Sequence, residues 1–365
     1  IEGEDMKRYV DWPERMDCRR AAPVADVAVL FSAHSRDFAR MFSPSADPLG
    51  VSECLTDAHV QHDFILDQDL LDKGKLHRYK LVVLASTGCL SRRQVETLRA
   101  YVAEGGALLV TTNASLLDER GFVQPNFQLA DVLGVDYDPA GTVRGPLTWR
   151  DRADAATVAF PGAALRVKPR QGATIQADFV NAKGEPVWPA AVANRCGRGK
   201  SLYLPVAIGA ANYESEARAG GKATFAKDKD LARRFIRLVR EAAAAPLDFE
   251  ATALPEGLLS CVCQQTVDGR QERLVHLLNT TGAGVAKGDL LPAKRDWQKT
   301  PAFPPLTADL CFDLRAPGAR TGRISSPDYA GSRPVTVTPQ GDDRVGVTVK
   351  AADLVAYAVV RLSAE

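Results

Sequence analysis

Cys89 has the clearest route to covalent chemistry in this sequence. It stands just past the apolar run Leu81–Ser86 and shortly before Ser91, a good helix N-cap. A cysteine nucleophile needs a base within hydrogen-bond reach, and His34, His59, His62 and His77 are the histidines of the same half of the chain. The competing reading is a packed, inert thiol ahead of a helix N-terminus. His59 and His62 are three residues apart, which would put two imidazoles on one helix face. With Asp57 or Asp63 such a pair can hold a metal ion, although polar helix faces show the same spacing without one. Cys261 and Cys263 place both thiols on one face of a strand, but metal binding there needs further ligands and none lies near in sequence. His276, inside the apolar run Arg273–Leu278, reads as a satisfied core or interface histidine. Asn279 at the end of that run reads as a source of turn hydrogen bonds.

His34, Arg36, Asp37, Thr87 and Asn113 form a different kind of set. Each follows a short apolar run, so all would project from the carboxyl ends of adjacent strands, where open α/β sheets bind ligands. Loop polarity and helix capping would place the same residue types there. Ser32-Ala33-His34-Ser35-Arg36 stands where a Gly-x-Gly-x-x-Gly would be, so a nucleotide or flavin phosphate has no cradle. No cofactor is expected, and no resident metal. Trp149, Trp188 and Trp297 lie in polar, Pro/Gly-rich surroundings, where aromatics stack on sugars or anchor interfaces.

The elements that must position these groups start from Tyr79–Ser115. Leu81–Ser86 suits a strand buried on both faces. Ser91 then caps a helix whose Val95, Leu98, Tyr101 and Val102 recur at helical spacing, and Gly105-Gly106 ends it. Ala107–Thr111 is a second buried strand. The three pieces make a βαβ unit with parallel strands. Upstream, Asp26–Ser32 and Phe64–Leu66 read as strands, with helix expected over Glu53–Val60. Downstream, Leu116–Asp138 reads as a helix ending at Leu133-Gly134-Val135. Residues 139–187 read as an insertion with a small antiparallel element. Ala190–Asn194 and Ser201–Pro205 pair as a hairpin around Gly197-Arg198-Gly199-Lys200, and Lys227–Ala245 is an amphipathic helix stopped by Pro246.

After Pro246 the pattern changes to short strands punctuated by turn residues at sandwich-like spacing. The expected organisation is therefore an entry linker over 1–24, an α/β domain over 25–246 with a β insertion near 139–187, and a small all-β sandwich over 247–365. The 365 residues carry a formal net charge of +1, which leaves no electrostatic footprint for nucleic acid or an anionic membrane. No apolar run approaches the roughly 20 residues needed to span a bilayer. The seven cysteines are odd in number and scattered, which favours free thiols in a reducing compartment such as the cytoplasm over a disulfide set. The chain opens at Ile1 rather than Met and shows no signal peptide, which fits either processing or a piece of something longer.

The runs Ala25–Ser32, Tyr79–Leu84 and Val102–Thr111, in this order, resemble the middle domain of family 42 β-galactosidases and their relatives. The hairpin around Gly197–Lys200 with Tyr203 is similar to a feature late in that domain. Arg273–Asn279 with Asp353–Tyr357 resembles the small C-terminal β-sandwich of the same enzymes and of some fucosidase-like relatives. The resemblance covers most of residues 25–362. It implies a flavodoxin-like, class I amidotransferase-like parallel sheet with helices on both faces, followed by the sandwich. In the family this middle domain follows a catalytic (β/α)8 barrel, makes trimer contacts and packs near the barrel's active-site mouth. His34, Arg36, Asp37, Thr87 and Asn113 would then line a substrate rim.

The departure from the family lies upstream. A barrel needs about 250 residues, and only residues 1–24 precede the first strand here. The two barrel glutamates are absent, so no catalytic residue is expected in this chain. The function implied is the non-catalytic C-terminal portion of a glycoside hydrolase, β-galactosidase-like or fucosidase-like. Its partner would be a barrel in the same or another chain, its assembly a homo-oligomer with a trimer favoured, and carbohydrate its indirect ligand. The alternatives are a free-standing carbohydrate-binding or assembly subunit, and an amidotransferase-like hydrolase using Cys89. The last departs from its own family's pattern: Gly88-Cys89-Leu90-Ser91 lacks the Gly after the cysteine, and no late His-x-Glu follows.

Overall fold

A computed structural model describes residues 3–12, 21–39, 44–145, 147–211, 228–281, 304–341 and 343–364. Cys18 and Trp297 lie outside the described residues. The chain divides into two compact units, Asp26–Leu55 with His62–Leu247, and Ile1–Ala25 with Thr56–Gln61 and Asp248–Glu365. The second unit contains helix α1 (Gly3–Asp11) and strand β1 (Ala22–Pro23).

The larger unit runs β2 (Val27–Leu30), α2 (Ala33–Phe38), α3 (Ala46–Asp57), β3 (His62–Ile65), α4 (Lys73–Leu76), β4 (Leu81–Leu84), α5 (Arg92–Ala103) and β5 (Ala107–Thr111). It continues with α6 (Ala130–Leu133), β6 (Val135–Val143), β7 (Leu147–Asp151), β8 (Thr157–Phe160), β9 (Ala164–Pro169), β10 (Thr174–Val180), β11 (Pro186–Cys196), β12 (Gly199–Leu204) and α7 (Lys229–Ala242). Nine of these strands form one sheet in the order β3-β2-β4-β5-β12-β11-β10-β7-β8. The β3, β2, β4, β5 and β12 ladders are parallel, and every later pair is antiparallel. β2, β4 and β5 are buried at every residue, as apolar runs covered on both faces must be. β7 alternates buried with half-buried residues and β8 buried with exposed ones, the period of a strand whose two faces differ in cover.

This overturns the expected flavodoxin-like, amidotransferase-like parallel sheet. Among the described residues strand takes 42% against 22% helix, and the sheets are mixed and antiparallel. Two segments account for the difference. The helix expected over Leu116–Asp138 shrinks to the single turn α6, closed by Gly134 at φ 69°. The segment read as an insertion supplies β7, β8 and β10, which extend the main sheet, and β9, which pairs with β6 in a separate two-stranded antiparallel sheet. α7 packs on β5, β12 and also β8, so the antiparallel extension curls back toward the helix that covers the parallel strands. Its apolar stripe, Leu231, Phe235, Leu238 and Val239, is buried.

α5 shows local sequence fixing a boundary. The Ser91 hydroxyl accepts from the Gln94 N–H, and the Gln94 side chain accepts from the Ser91 N–H, a complete capping box. At the β11–β12 turn Gly197 adopts φ 60°, and a Cβ there would lie 2.6 Å from the Ala103 carbonyl oxygen at the end of α5. The turn therefore needs glycine for both conformation and space.

The second unit adds β13 (Phe249–Ala253), β14 (Leu258–Val267), β15 (Arg270–Asn279), β16 (Leu310–Arg315), β17 (Ala319–Ser325), β18 (Ser332–Pro334), β19 (Thr336–Pro339), β20 (Arg344–Val349) and β21 (Tyr357–Ala364). Six strands form the antiparallel sheet β1-β14-β15-β21-β17-β18 and four form β13-β16-β20-β19. Val262, Leu277, Ile324 and Val360 of the first meet Phe249, Phe312, Val345 and Val347 of the second in one core. On the other side of the six-stranded sheet Trp12, Leu274 and Val359 make a smaller cluster, with Cys263 and Tyr357 packed against it. Among the described residues no helix is long and apolar enough to cross a membrane, which says nothing of strand-built spans.

Candidate functional site

The carboxyl ends of β4 and β5 converge on a residue that sequence reading did not single out. Asp47, in the first turn of α3, is completely buried. Its Oδ2 accepts from the Ser86 hydroxyl at 2.7 Å and the Thr111 hydroxyl at 2.6 Å. Its Oδ1 accepts from the Gly209 and Ala210 N–H groups at 2.8 and 3.1 Å. One carboxylate thus ties two strand ends, one helix start and the segment after β12. Burial raises its carboxyl above the ordinary range, against the pull of Thr111, Ser86, Ala210 and Gly209. The backbones close in equally tightly: a Cβ at Gly50 would sit 2.0 Å from the Gly209 carbonyl oxygen.

The strand ends around Asp47 hold uncommon backbone conformations. Ser86 has φ 46° and Thr112 φ 50°, left-handed values that cost a non-glycine residue energy. Hydrogen bonds pin both. The Ser86 N–H donates to the Thr111 hydroxyl oxygen at 2.8 Å, and the Tyr203 hydroxyl donates to the Thr112 carbonyl at 2.6 Å. Nothing in sequence links Asp47 to partners 39 and 64 residues away. The visible trace was the small hydroxyl residue placed directly after each apolar run.

The five expected rim residues separate here. His34, Arg36 and Asp37 lie exposed on α2. Arg36 and Asp37 pair with each other through Nε at 2.8 Å, and that bond holds the Asp37 carboxyl below its ordinary value. α2 itself is anchored by Asp67, which accepts from the Ser32 hydroxyl at 2.6 Å and the Ala33 N–H at 2.8 Å. Thr87 and Asn113 are buried, at 1% and 0% exposure. Among the described residues the Asn113 amide nitrogen has no hydrogen-bond partner.

Cys89 sits on the same edge and is sealed. Its exposure is 1%, its N–H donates to the Ser35 hydroxyl, and burial pushes its thiol up to about 11, with Asp118 and Asp67 adding to the shift. A thiol so held is protonated at neutral pH and inert. Among the described residues no histidine hydrogen-bonds to it. The amidotransferase-like reading of Cys89 is therefore corrected.

The proposed His59–His62 helix face does not form. α3 ends at Asp57, His59 turns the chain at φ 58°, and His62 opens β3. His59 Nδ1 meets the Ser260 hydroxyl at 3.1 Å, whereas His62 Nε2 meets the Ser52 hydroxyl at 2.7 Å. Among the described residues no three His, Cys, Asp or Glu side chains stand close enough to hold a metal ion. His276 Nδ1 meets the Tyr357 hydroxyl at 2.6 Å. Asn279 is buried and donates to the Val355 carbonyl at 2.9 Å. Trp149 is wholly buried with its indole N–H on Asp151, and Trp188 carries the Arg166 guanidinium 4.4 Å over its ring.

Beside α2 the edge presents apolar surface. Phe38, Phe122 and Val123 are 53%, 66% and 60% exposed. The loop that displays Phe122 is well built. Asp118 Oδ1 accepts from the Arg120 and Phe122 N–H groups at 2.9 and 3.0 Å, and Gly121 turns at φ 83° against Phe38. A hydrogen-bonded loop that holds a phenylalanine in water is the kind of feature that interfaces cover.

A family model described as the β-galactosidase trimerisation domain matches residues 25–217. Among the solved structures similar in fold are two β-galactosidases and an α-L-fucosidase. The β-galactosidase of Bacillus circulans sp. alkalophilus matches with a TM-score of 0.64 at 13% identity, over 99% of this chain and 44% of that one. The α-L-fucosidase isoenzyme 2 of Paenibacillus thiaminolyticus matches at 0.68 and 16%, over 96% and 50%. The β-galactosidase of Rahnella sp. R3 matches at 0.60 and 14%, over 94% and 41%. The chain thus spans half or less of each of these proteins.

Proposed function

The chain belongs to the β-galactosidase trimerisation-domain family, and on that premise we propose that it is the non-catalytic, oligomer-forming portion of a β-galactosidase-like or fucosidase-like glycoside hydrolase. The observation that carries this reading is the family match over residues 25–217 in a chain that spans 44% of the B. circulans β-galactosidase. Glycoside hydrolysis needs two carboxyl groups facing one open cleft. The carboxylate at the strand ends, Asp47, is instead sealed and occupied by four donors.

In this reading the carboxyl edge of the parallel strands is a covered surface. Phe38, Phe122 and Val123 supply apolar area for a neighbouring polypeptide. His34, Arg36 and Asp37 stand beside them as the residues able to reach the rim of a barrel active site. Thr87 and Asn113 act from below, by shaping the strand ends. The assembly is a trimer, and the barrel is its partner.

The test is glycosidase activity of the purified chain. No turnover of nitrophenyl galactosides or fucosides is expected. Turnover that scales with this chain and survives repurification would overturn the proposal.

A further inference from the structure

A cavity of about 370 Å³ opens on the larger unit where β10, β11 and β12 run beside the end of α7. Thr174, Gln176, Arg195, Lys200 and Glu241 are among the residues that line it. Arg195 and Lys200 stand directly opposite each other in the antiparallel β11–β12 ladder, so their side chains leave the same face, where like charges repel. Lys200 Nζ donates to the Glu241 carbonyl at 2.8 Å, and the Glu241 carboxylate lies 3.7 Å from Arg237. Among the described residues neither Arg195 nor Lys200 has a carboxylate partner. Burial, and after it the Arg195 charge, hold the Lys200 ammonium below its ordinary pKa.

The wall formed by β10 carries an acceptor instead. Gln176 Oε1 is buried and accepts no hydrogen bond among the described residues, which costs stability. β10 is irregular at this point: its register with β11 shifts between Ile175 and Ala177, which leaves Gln176 out of that ladder. Bulges of this kind re-aim a side chain and recur beside active sites. Two cations at one cavity call for an oxyanion. A carboxylate or a phosphate dianion carries acceptors only, so it would leave Gln176 Oε1 empty, whereas a hydroxyl on the same molecule fills it. The volume lies in the range of small-molecule sites, roughly 300–1,000 Å³, and exceeds what a bare inorganic anion occupies.

We infer that this cavity binds a monosaccharide-sized oxyanion, a sugar phosphate or a sugar acid. Its charged group lies on Arg195 and Lys200, and one of its hydroxyls donates to Gln176 Oε1. All of these walls come from one chain, so binding does not depend on assembly.

Isothermal titration calorimetry on the full chain tests this, with the terminal phosphates and the uronates of glucose and galactose as probes. At least one of these should bind saturably, and glucose, galactose and inorganic phosphate should each bind about tenfold more weakly or worse. Binding of the phosphates alone, or of the uronates alone, would identify the charged group. Arg195 is exposed, so Arg195→Ala leaves the core intact. It should weaken the best probe by about tenfold or more. Gln176→Ala should weaken that probe and leave the weak binding of inorganic phosphate unchanged. Arg198→Ala, which removes a neighbouring charge off the cavity wall, should change nothing. Saturable binding by none of the probes would overturn the proposal. So would inorganic phosphate binding as tightly as the sugar phosphates, or equal weakening by Arg195→Ala and Arg198→Ala, the mark of diffuse surface charge.

Discussion

The Thr111 hydroxyl reaches the buried Asp47 carboxylate at 2.6 Å, joining the end of β5 to the start of α3. Ser86, from the end of β4, arrives on the same oxygen at 2.7 Å. The other oxygen receives the Gly209 and Ala210 N–H groups. Removing the carboxylate orphans buried donors, each at about 1–3 kcal/mol. Asp47→Ala should lower the unfolding free energy by about 3 kcal/mol or more, read from urea denaturation. Asp47→Asn, which retains one acceptor oxygen, should lose less. A change within about 0.5 kcal/mol for the alanine variant, the range of ordinary surface substitutions, would show that the network is not a keystone.

Gly50 offers an independent check on the same junction. Glycine inside a helix normally costs about 0.5–1 kcal/mol relative to alanine. Here the added methyl would meet the Gly209 carbonyl oxygen at 2.0 Å. Gly50→Ala should therefore destabilise, by about 1–3 kcal/mol as overpacking does. Gly74→Ala is the control, since its nearest neighbour is the tip of the Asp72 side chain at 3.2 Å. Equal urea midpoints for the two variants would contradict the packing described.

The clamp between α7 and β7 separates a buried ion pair from an exposed one. Asp151 receives Arg234, Arg237 and, at 2.9 Å, the Trp149 indole N–H. The Arg234 side chain is 9% exposed and that of Arg237 39%. Asp151→Ala leaves Arg234 buried without its carboxylate and should cost about 3–5 kcal/mol. Arg237→Ala should cost about 1 kcal/mol or less. Comparable losses from the two variants would mean that burial is not what sets the strength of this clamp.

How much of this was legible varies by element. Leu81–Leu84 and Ala107–Thr111 read as buried strands because both faces are covered and no polar residue interrupts them. α5 was readable because Ser91 and Gln94 cap it locally. Leu116–Asp138 misled because its apolar residues pack through turns and isolated bridges, such as Leu117 with Cys89, and not along a helix. β7 pairs with β8 as a local hairpin, but its pairing with β10, Ala177 opposite Asp151, skips over β9, a choice that period-2 patterning does not encode. Position at a strand end does not separate the exposed His34 from Asn113, whose burial depends on what folds over it.

Burial also sets a pH response in the unit that contains β14 and β15. His276 and His59 are both depressed below 6.5 by burial, with the Asp57 charge opposing the shift at His59. A histidine depressed in the folded state binds protons more readily when unfolded. Its contribution is therefore complete above about 6.5 and is lost as pH falls through the region below it. The urea midpoint should drop between about pH 7.5 and 5.5, and His276→Gln should make that drop smaller. An unchanged drop in the variant would remove His276 from the explanation.

In the proposed function this chain assembles and does not itself catalyse. The most direct measurement is its mass in solution, by sedimentation equilibrium over a range of concentrations. Self-association into a species of three 39.3 kDa chains, about 118 kDa, is the predicted result. A 39.3 kDa monomer at every concentration would contradict it.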